Sequence, residues 1–308
     1  MFITMDKLPI FPHSKALNID DKPVIESFVA KHPPYSDFNF TSMFSWDSRS
    51  EYRISNLNNN LVVRFTDYIT GEPFYSCLGE DKIDETLHKL IEQSEIEGIA
   101  PRLHLIPHTV IDSLENKSVF NINEDRSNFD YIYSIPESTT LEGTKYQNHR
   151  RYKRKFKDAI DNEPHIDLID VTEKNNQSAL LSLFETWRSN SNQNIEESGQ
   201  ELEAIKKKID HASYLDVHCI GVYVKNEIIA FSLNEITHDN YAITHFEKAD
   251  TSYHGVFYFL RHETNKILED YGCTLLNLEQ DLGIETLRMS KESHRPIDFL
   301  KKYTVELS

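Results

Sequence analysis

Glycine is scarce in this chain and widely spaced. Nine glycines occur in 308 residues, and no two lie closer than eight positions apart. This excludes the Gly-rich phosphate loops of nucleotide hydrolases and the tight G-x-G-x-x-G turn of dinucleotide-binding folds. Cysteine is rarer still. Cys77, Cys219 and Cys273 are odd in number and far apart, which excludes a cysteine-based metal knuckle and fits a reducing cytoplasm. Long apolar runs are absent: a stretch such as Ile228 to Phe231 is far too short to span a bilayer. The opening MFITMDKLPIFP has no charged segment followed by an apolar one, so no secretory signal is expected. No serine sits in a G-x-S-x-G elbow. Histidines are plentiful, at fourteen, but they fall in no metal-ligand pattern. His104 and His108 are four apart with Pro107 between them and no third ligand following, so no bound metal is expected.

What the chain has is acid, with one exception. Fifty Asp and Glu face 33 Lys and Arg, for a net charge of −17. Bulk charge of that sign argues against coating DNA or an anionic membrane. Yet KYQNHRRYKRKFK, residues 145–157, holds seven basic residues and no acid, which leaves −24 on the rest. Thr144 and Gln147 have capping-box spacing, predicting a helix from Thr144. Tyr152, Phe156, Ala159 and Ile160 would form its apolar stripe, leaving Arg150, Arg151, Arg154 and Lys155 outside. A solvated face is one reading. Without internal i,i+4 acids to relieve the repulsion, a phosphate-binding strip is the other, and Arg suits it because its planar fork donates two parallel hydrogen bonds.

Either side of this strip the elements recur in one order. Strand-like segments at 52–57, 61–65 and 74–78 precede a helix at 83–97 and a strand at 102–106. Later, strands at 217–224, 228–236 and 241–246 precede a helix at 256–271 and a strand at 274–278. Turns are expected at Asn58 to Asn60 and at Lys225 to Glu227. A helical segment comes before each set, at 37–46 and 178–188. The order predicts an α+β protein with a first lobe at 1–140, a basic connecting helix at 141–162 and a second lobe at 163–308. One continuous mixed domain is the alternative.

Several stretches carry a family resemblance. YSDFNFTSMFSW, DRSNFDYIYS, LEGTKYQNHRRYKRKF, THFEKADTSYHG and NLEQDLGIETLRMSKESHRP occur in that order. Together the chain resembles the phosphatidylglycerol lysyltransferase C-terminal domain family. The resemblance implies two acyl-CoA N-acyltransferase-like (GNAT-like) folds in tandem, each a mostly antiparallel mixed sheet flanked by helices. It also implies kinship with lysyltransferases that move an amino acid from aminoacyl-tRNA to a lipid, and with Fem-type peptidyltransferases. The expected activity is transfer of an acyl or aminoacyl group from a phosphate-bearing donor, aminoacyl-tRNA or acyl-CoA, to a small-molecule or peptide acceptor. No permanently bound cofactor is expected. A non-catalytic anion- or RNA-binding module on a degenerate fold is the alternative.

Acyl transfer to an amine needs a base, donors for the oxyanion and a positive cradle. Glu247, beside His245 just past a strand, is the candidate base, with Lys248 as its oxyanion or carboxylate partner. Asp281 is either catalytic or a helix cap. In a GNAT-like fold the cradle lies at a helix N-terminus, here Tyr253, His254 and Gly255, where glycine lets backbone approach a ligand closely. The usual Gln/Arg-x-x-Gly-x-Gly/Ala pattern keeps only Gly255, which weakens coenzyme A as donor. Lys145, His149, Arg288 and Lys291 complete the expected donor-binding set. By contrast Glu80 and Asp81, before the first-lobe helix, are expected to repel an anion there.

Overall fold

A computed structural model describes residues 8–67, 70–160, 163–191 and 195–308. Residues 161–162, the end of the expected connecting segment, and residues 1–7, read for a secretory signal, lie outside the described residues. The chain forms two compact units. One comprises residues 1–130, 280–285 and 299–308; the other comprises 131–279 and 286–298. Residues 131–140, grouped by sequence with the first lobe, therefore belong to the second unit, and two C-terminal segments return to the first.

In the first unit, Arg53–Leu57 and Asn60–Thr66 form a hairpin, and Pro73–Leu78 adds antiparallel to the latter. The turn is shorter than expected. Asn58 and Asn59 both take positive φ, 53° and 62°, which is the two-residue turn whose twist matches a hairpin. Asn60 thereby becomes the first strand residue. The helix Ile83–Ile96 buries Leu87, Leu90 and Ile91 against Leu103, Ile106, Val110 and Val305. Leu103–Pro107 joins a separate sheet in which Lys302–Leu307 is central and Phe120–Glu124 lies on its other side. At the start of that central strand Lys302 is fully buried, with Nζ 2.7 Å from Asp130 Oδ1 and ion-paired to Asp37. Asp81 is engaged by its own neighbours: Asn59 Nδ2 donates to its carboxylate at 3.0 Å and Asn60 Nδ2 to its carbonyl at 2.7 Å.

The second unit repeats the hairpin device. Lys225 and Asn226, at φ 51° and 66°, join Val217–Val224 to Glu227–Ile236. Tyr241–Ala249 follows antiparallel. Leu275–Asn277 pairs with it in parallel, which requires a crossover, and the helix Val256–Asp270 supplies that crossover. Asp130–Ser134 pairs antiparallel with Leu275–Asn277, and His165–Ile169 borders Val217–Val224. The parallel pairing ends at Ile243 and Asn277, while Tyr241–Ala249 runs on for six more residues. The pairing stops there, and His245, Glu247, Lys248 and Glu279 lie past that point in the chain.

The basic segment is helical, but it starts differently from the expectation. Thr144–Tyr146 is a 3-10 turn and the α-helix is Gln147–Asp158, with no side-chain cap at its N-terminus. The capping box at Thr144 does not form. The helix is held by its apolar face: Phe156 is fully buried with Val256, Phe259, Leu260 and Val222.

Candidate donor cleft and polar cavity

The basic helix borders an open cleft of about 730 Å³ lined by Arg150, Lys153, Arg154, Lys157, Thr139, Thr140 and His262, together with the acids Asp158 and Glu163. Four cations on one helix face reach this cleft because positions 150, 153/154 and 157 recur at helical spacing. They are not equivalent. Arg150 Nη1 donates to the carbonyls of Leu141 and Gly143, the latter at 2.9 Å, and so caps the preceding turn. Lys157 pairs with Glu163 at 3.1 Å. Lys153 Nζ lies 3.0 Å from His262 Nε2, and burial lowers its pKa. Arg154 is exposed to the cleft.

The other expected members of the strip scatter. Arg151 and Lys155 are exposed and lie outside the cleft lining, Arg151 resting 4.9 Å from the Tyr152 ring centroid. Lys145 pairs with Glu137 at 2.7 Å. His149 is buried rather than presented to a donor. Its Nε2 lies 3.1 Å from His294 Nδ1, and its ring packs edge-on to Tyr146 and Tyr258. Burial, reinforced by the charges of Arg261 and Arg295, pushes its pKa down to about 4.

At the N-terminus of Val256–Asp270, Gly255 has φ 91°, and a Cβ there would meet the Tyr152 carbonyl oxygen at 2.3 Å. The close approach that this glycine permits is therefore to the backbone of the basic helix rather than to a ligand. Tyr253 packs against Phe156, and His254 is exposed. Lys291 is also withdrawn from any donor: it is buried and Nζ donates to the carbonyls of Leu278 and Glu279. Arg288 lies on the same helix, three residues earlier.

Glu247 and Lys248 are consecutive on one strand and so face opposite ways. Lys248 is buried with Nζ 2.7 Å from Glu201 and 3.7 Å from the Trp187 ring centroid. Glu247 is clamped by Arg261, whose Nε lies 3.2 Å from Oε1 while Nη2 bonds Oε2. Asp281 belongs to the first unit. It is fully buried, pairs with Arg126 at 3.1 Å and accepts from Gly283 N at 2.8 Å. Its carboxylate thus holds the turn before Glu285–Ser293.

Three features went unseen in the sequence. Arg261 lines a small cavity of about 20 Å³ with Tyr133, His149, Tyr258, Asn265 and His294. Leu141 and His262 line both this cavity and the basic cleft. Tyr258, Arg261, His262 and Asn265 recur at i, i+3, i+4 and i+7, so polar residues on the inward face of a helix were the available signal. The third is a charged cluster beside the point where the parallel pairing stops. His245 sits between Glu279 at 3.0 Å and Glu235 at 3.2 Å. Beside it Lys208 is fully buried, its Nζ has no hydrogen-bond partner, and burial drops its pKa to about 7 against the pull of Glu279 and Glu235. Glu279 holds φ 57°, unusual for a residue with a side chain. Among the described residues no His, Cys, Asp and Glu group could hold a metal, and no helix is long and apolar enough to cross a membrane.

The architecture is the α+β, GNAT-like arrangement expected from the sequence, with mostly antiparallel sheets flanked by helices. Residues 30–306 match the family described as phosphatidylglycerol lysyltransferase, C-terminal, and the chain belongs to that family. It is similar to a solved conserved protein of unknown function from Bacteroides thetaiotaomicron, at 26% identity and TM-score 0.83 over 96% of this chain and 99% of that one. It shares its fold with L-PGS from Bacillus licheniformis, at 12% identity and TM-score 0.62 over 93% and 92%. FemX also shares it, at 8% identity and TM-score 0.59 over 96% and 97%. No curated protein matches the chain. The family is that of the lysyltransferase C-terminal domain, and the fold is one the chain shares with L-PGS and FemX.

Proposed function

We propose that this protein is an aminoacyltransferase that holds the phosphates of an aminoacyl-tRNA in the basic cleft and passes the aminoacyl group to an amine or hydroxyl of a small-molecule or peptide acceptor. The observation that carries this reading is the 730 Å³ cleft with Arg150, Lys153, Arg154 and Lys157 on its wall. It sits in a chain whose remaining charge repels polyanions elsewhere. Acyl-CoA is the weaker donor, because the Tyr152 backbone fills the approach to the Gly255 loop where a diphosphate would need open backbone N–H groups. A tRNA donor sets the reaction in the cytoplasm, in keeping with three cysteines that are buried and unpaired.

The salt dependence of binding tests this. With about four phosphates neutralised on a single strand, log K falls against log salt with a slope near −3. Arg154→Glu with Lys157→Glu should flatten that slope and abolish binding of charged tRNA, since neither side chain enters the core. Wild-type affinity in the double variant sinks the reading. A second reading, a binding module without turnover, is favoured by one observation: Glu247, the sequence candidate for a base, is held in an ion pair by Arg261. Charged tRNA that binds with the expected salt slope, but transfers to no acceptor in a panel of amines, alcohols and peptides, would select it.

A further inference from the structure

Lys153 is half-buried on the wall of the 730 Å³ cleft, whereas Lys155, two residues on, is exposed and outside the lining. Lys153 Nζ lies 3.0 Å from His262 Nε2 and 3.3 Å from Nδ1. Each of those ring nitrogens already has an acceptor. The Glu263 carboxylate lies 2.8 Å from Nδ1 and the Thr139 carbonyl 3.0 Å from Nε2. Both partners only accept, so the ring serves them as a donor and has no lone pair left for Lys153. An ammonium, which only donates, gains nothing from such a ring, while an unprotonated amine accepts from it. Burial, with the charges of Lys266 and Lys157, also pushes the Lys153 pKa down against the pull of Glu263. An amine of this kind is a better nucleophile than an ordinary surface lysine. Its neighbours decide which electrophile it meets. Arg154 is exposed to the cleft and makes no ion pair among the described residues, and its planar fork suits a phosphate. Lys157 stands one helical turn beyond Lys153 on the same face, paired with the exposed Glu163. An exposed pair of that sort is weak enough to open for a doubly charged anion.

We propose that Lys153 is a covalent modification site acylated by small acyl phosphates, whose phosphate rests on Arg154 and Lys157 while the Lys153 amine takes the acyl group. The inference goes beyond the aminoacyl-transfer reading and needs neither a tRNA nor a separate acceptor. The amine lone pair forms a C–N bond to the acyl carbon. The C–O bond to the phosphate breaks, and its electron pair leaves on the phosphate oxygen. One proton passes from the nitrogen to that phosphate, so an amide and inorganic phosphate form with no further reactant. The cleft is open and large enough for a phosphate and a short acyl chain. The product matters for the same wall. An amide takes no proton, so acylation withdraws one cation from the four that face the cleft and weakens its hold on any polyanion.

Acetyl phosphate is the probe. The full chain is incubated with it to low incorporation, and acetylation of each lysine is quantified by peptide mass spectrometry. A cleft lined by one sign of charge raises the local concentration of a counter-ion about 10–10³-fold. Lys153 should therefore be acetylated at least about tenfold faster than Lys155, the exposed reference on the same helix. Added inorganic phosphate should compete, slowing Lys153 and leaving Lys155 unchanged. Arg154→Gln with Lys157→Gln, both exposed positions, should bring Lys153 down towards the Lys155 rate while Lys155 itself reports an intact helix. Acetylation of Lys153 no faster than that of Lys155 in the wild-type protein overturns the proposal. So does a preference for Lys153 that survives both inorganic phosphate and the double variant, because the phosphate cradle then plays no part. Neither result touches the donor assignment, which the salt titration of charged tRNA reads by itself.

Discussion

Replacing Gly255 by alanine tests how the basic helix is seated. Two costs add. At φ 91° a side chain is strained, worth about 1–2 kcal/mol for an L-residue in left-handed space. The new Cβ would also sit 2.3 Å from the Tyr152 carbonyl oxygen. That atom is backbone inside a helix anchored by Phe156, so it cannot swing aside as a flexible side chain does. Forcing extra atoms into a packed junction costs about 1–3 kcal/mol. The sum centres on about 3.5 kcal/mol, which lowers the melting temperature by about 7–14 °C for a unit of this size. Gly272 is the control. It has φ 87° but nothing within 4 Å of a built Cβ, so Gly272→Ala incurs only the strain of about 1–2 kcal/mol. Calorimetric melts of the two variants isolate the clash. If Gly255→Ala is no less stable than Gly272→Ala, the helix contact is not what requires glycine at 255.

Two buried lysines make opposite predictions at pH 7. Lys302 is satisfied by Asp130 and Asp37, which hold its pKa above the usual lysine range despite burial, so Lys302→Met should cost about 3–5 kcal/mol by stranding both carboxylates. Lys208 lacks a hydrogen-bond partner and titrates at about 7. Between pH 7 and about 10.4 the unfolded chain holds a proton that the folded one sheds, so wild-type stability rises with pH across that window. Lys208→Met should remove that slope and stabilise the protein at pH 7 by about 1–4 kcal/mol in denaturant titrations. His149 predicts acid sensitivity. Its folded pKa of about 4 lies below the unfolded value of about 6.5. Stability is then intact above pH 6.5 and falls as pH drops towards 4, by about 3 kcal/mol at 1.36 kcal/mol per unit. His294, also depressed by burial, acts in the same direction. A His149→Phe protein whose melting temperature tracks pH as steeply as wild type would refute this.

The legible parts of the fold were those written locally. Asn58-Asn59 and Lys225-Asn226 announce hairpins because they tolerate positive φ. The helix Val256–Asp270 shows its apolar spacing and ends at Gly272 as expected. What stayed hidden depends on partners far away in sequence. Lys302–Leu307 alternates like any short strand, and nothing local says that it pairs with Leu103–Pro107. His165–Ile169 is an edge strand with mostly exposed side chains, so its pattern carries little hydrophobic signal. The site divides the same way. The cations of the cleft stood out as an unrelieved run of charge. The spacing did not reveal that Arg150 among them caps a turn, or that His149 in the same run sinks into the core. Arg261 and Asn265 escaped notice because a polar residue inside a charged helix reads as surface until its neighbours are known.

The central position of Lys302–Leu307 in the first unit's three-stranded sheet has a consequence for how this protein is made. A ribosome delivers residues 1–130 first, at about 5–20 residues per second. They emerge without the strand that joins Leu103–Pro107 to Phe120–Glu124, and without the Lys302 amine that neutralises Asp130 and Asp37. The usual order of N-terminal completion is inverted. The first unit must wait, two strand edges open and a pair of acids uncompensated, for the whole of the second to be synthesised.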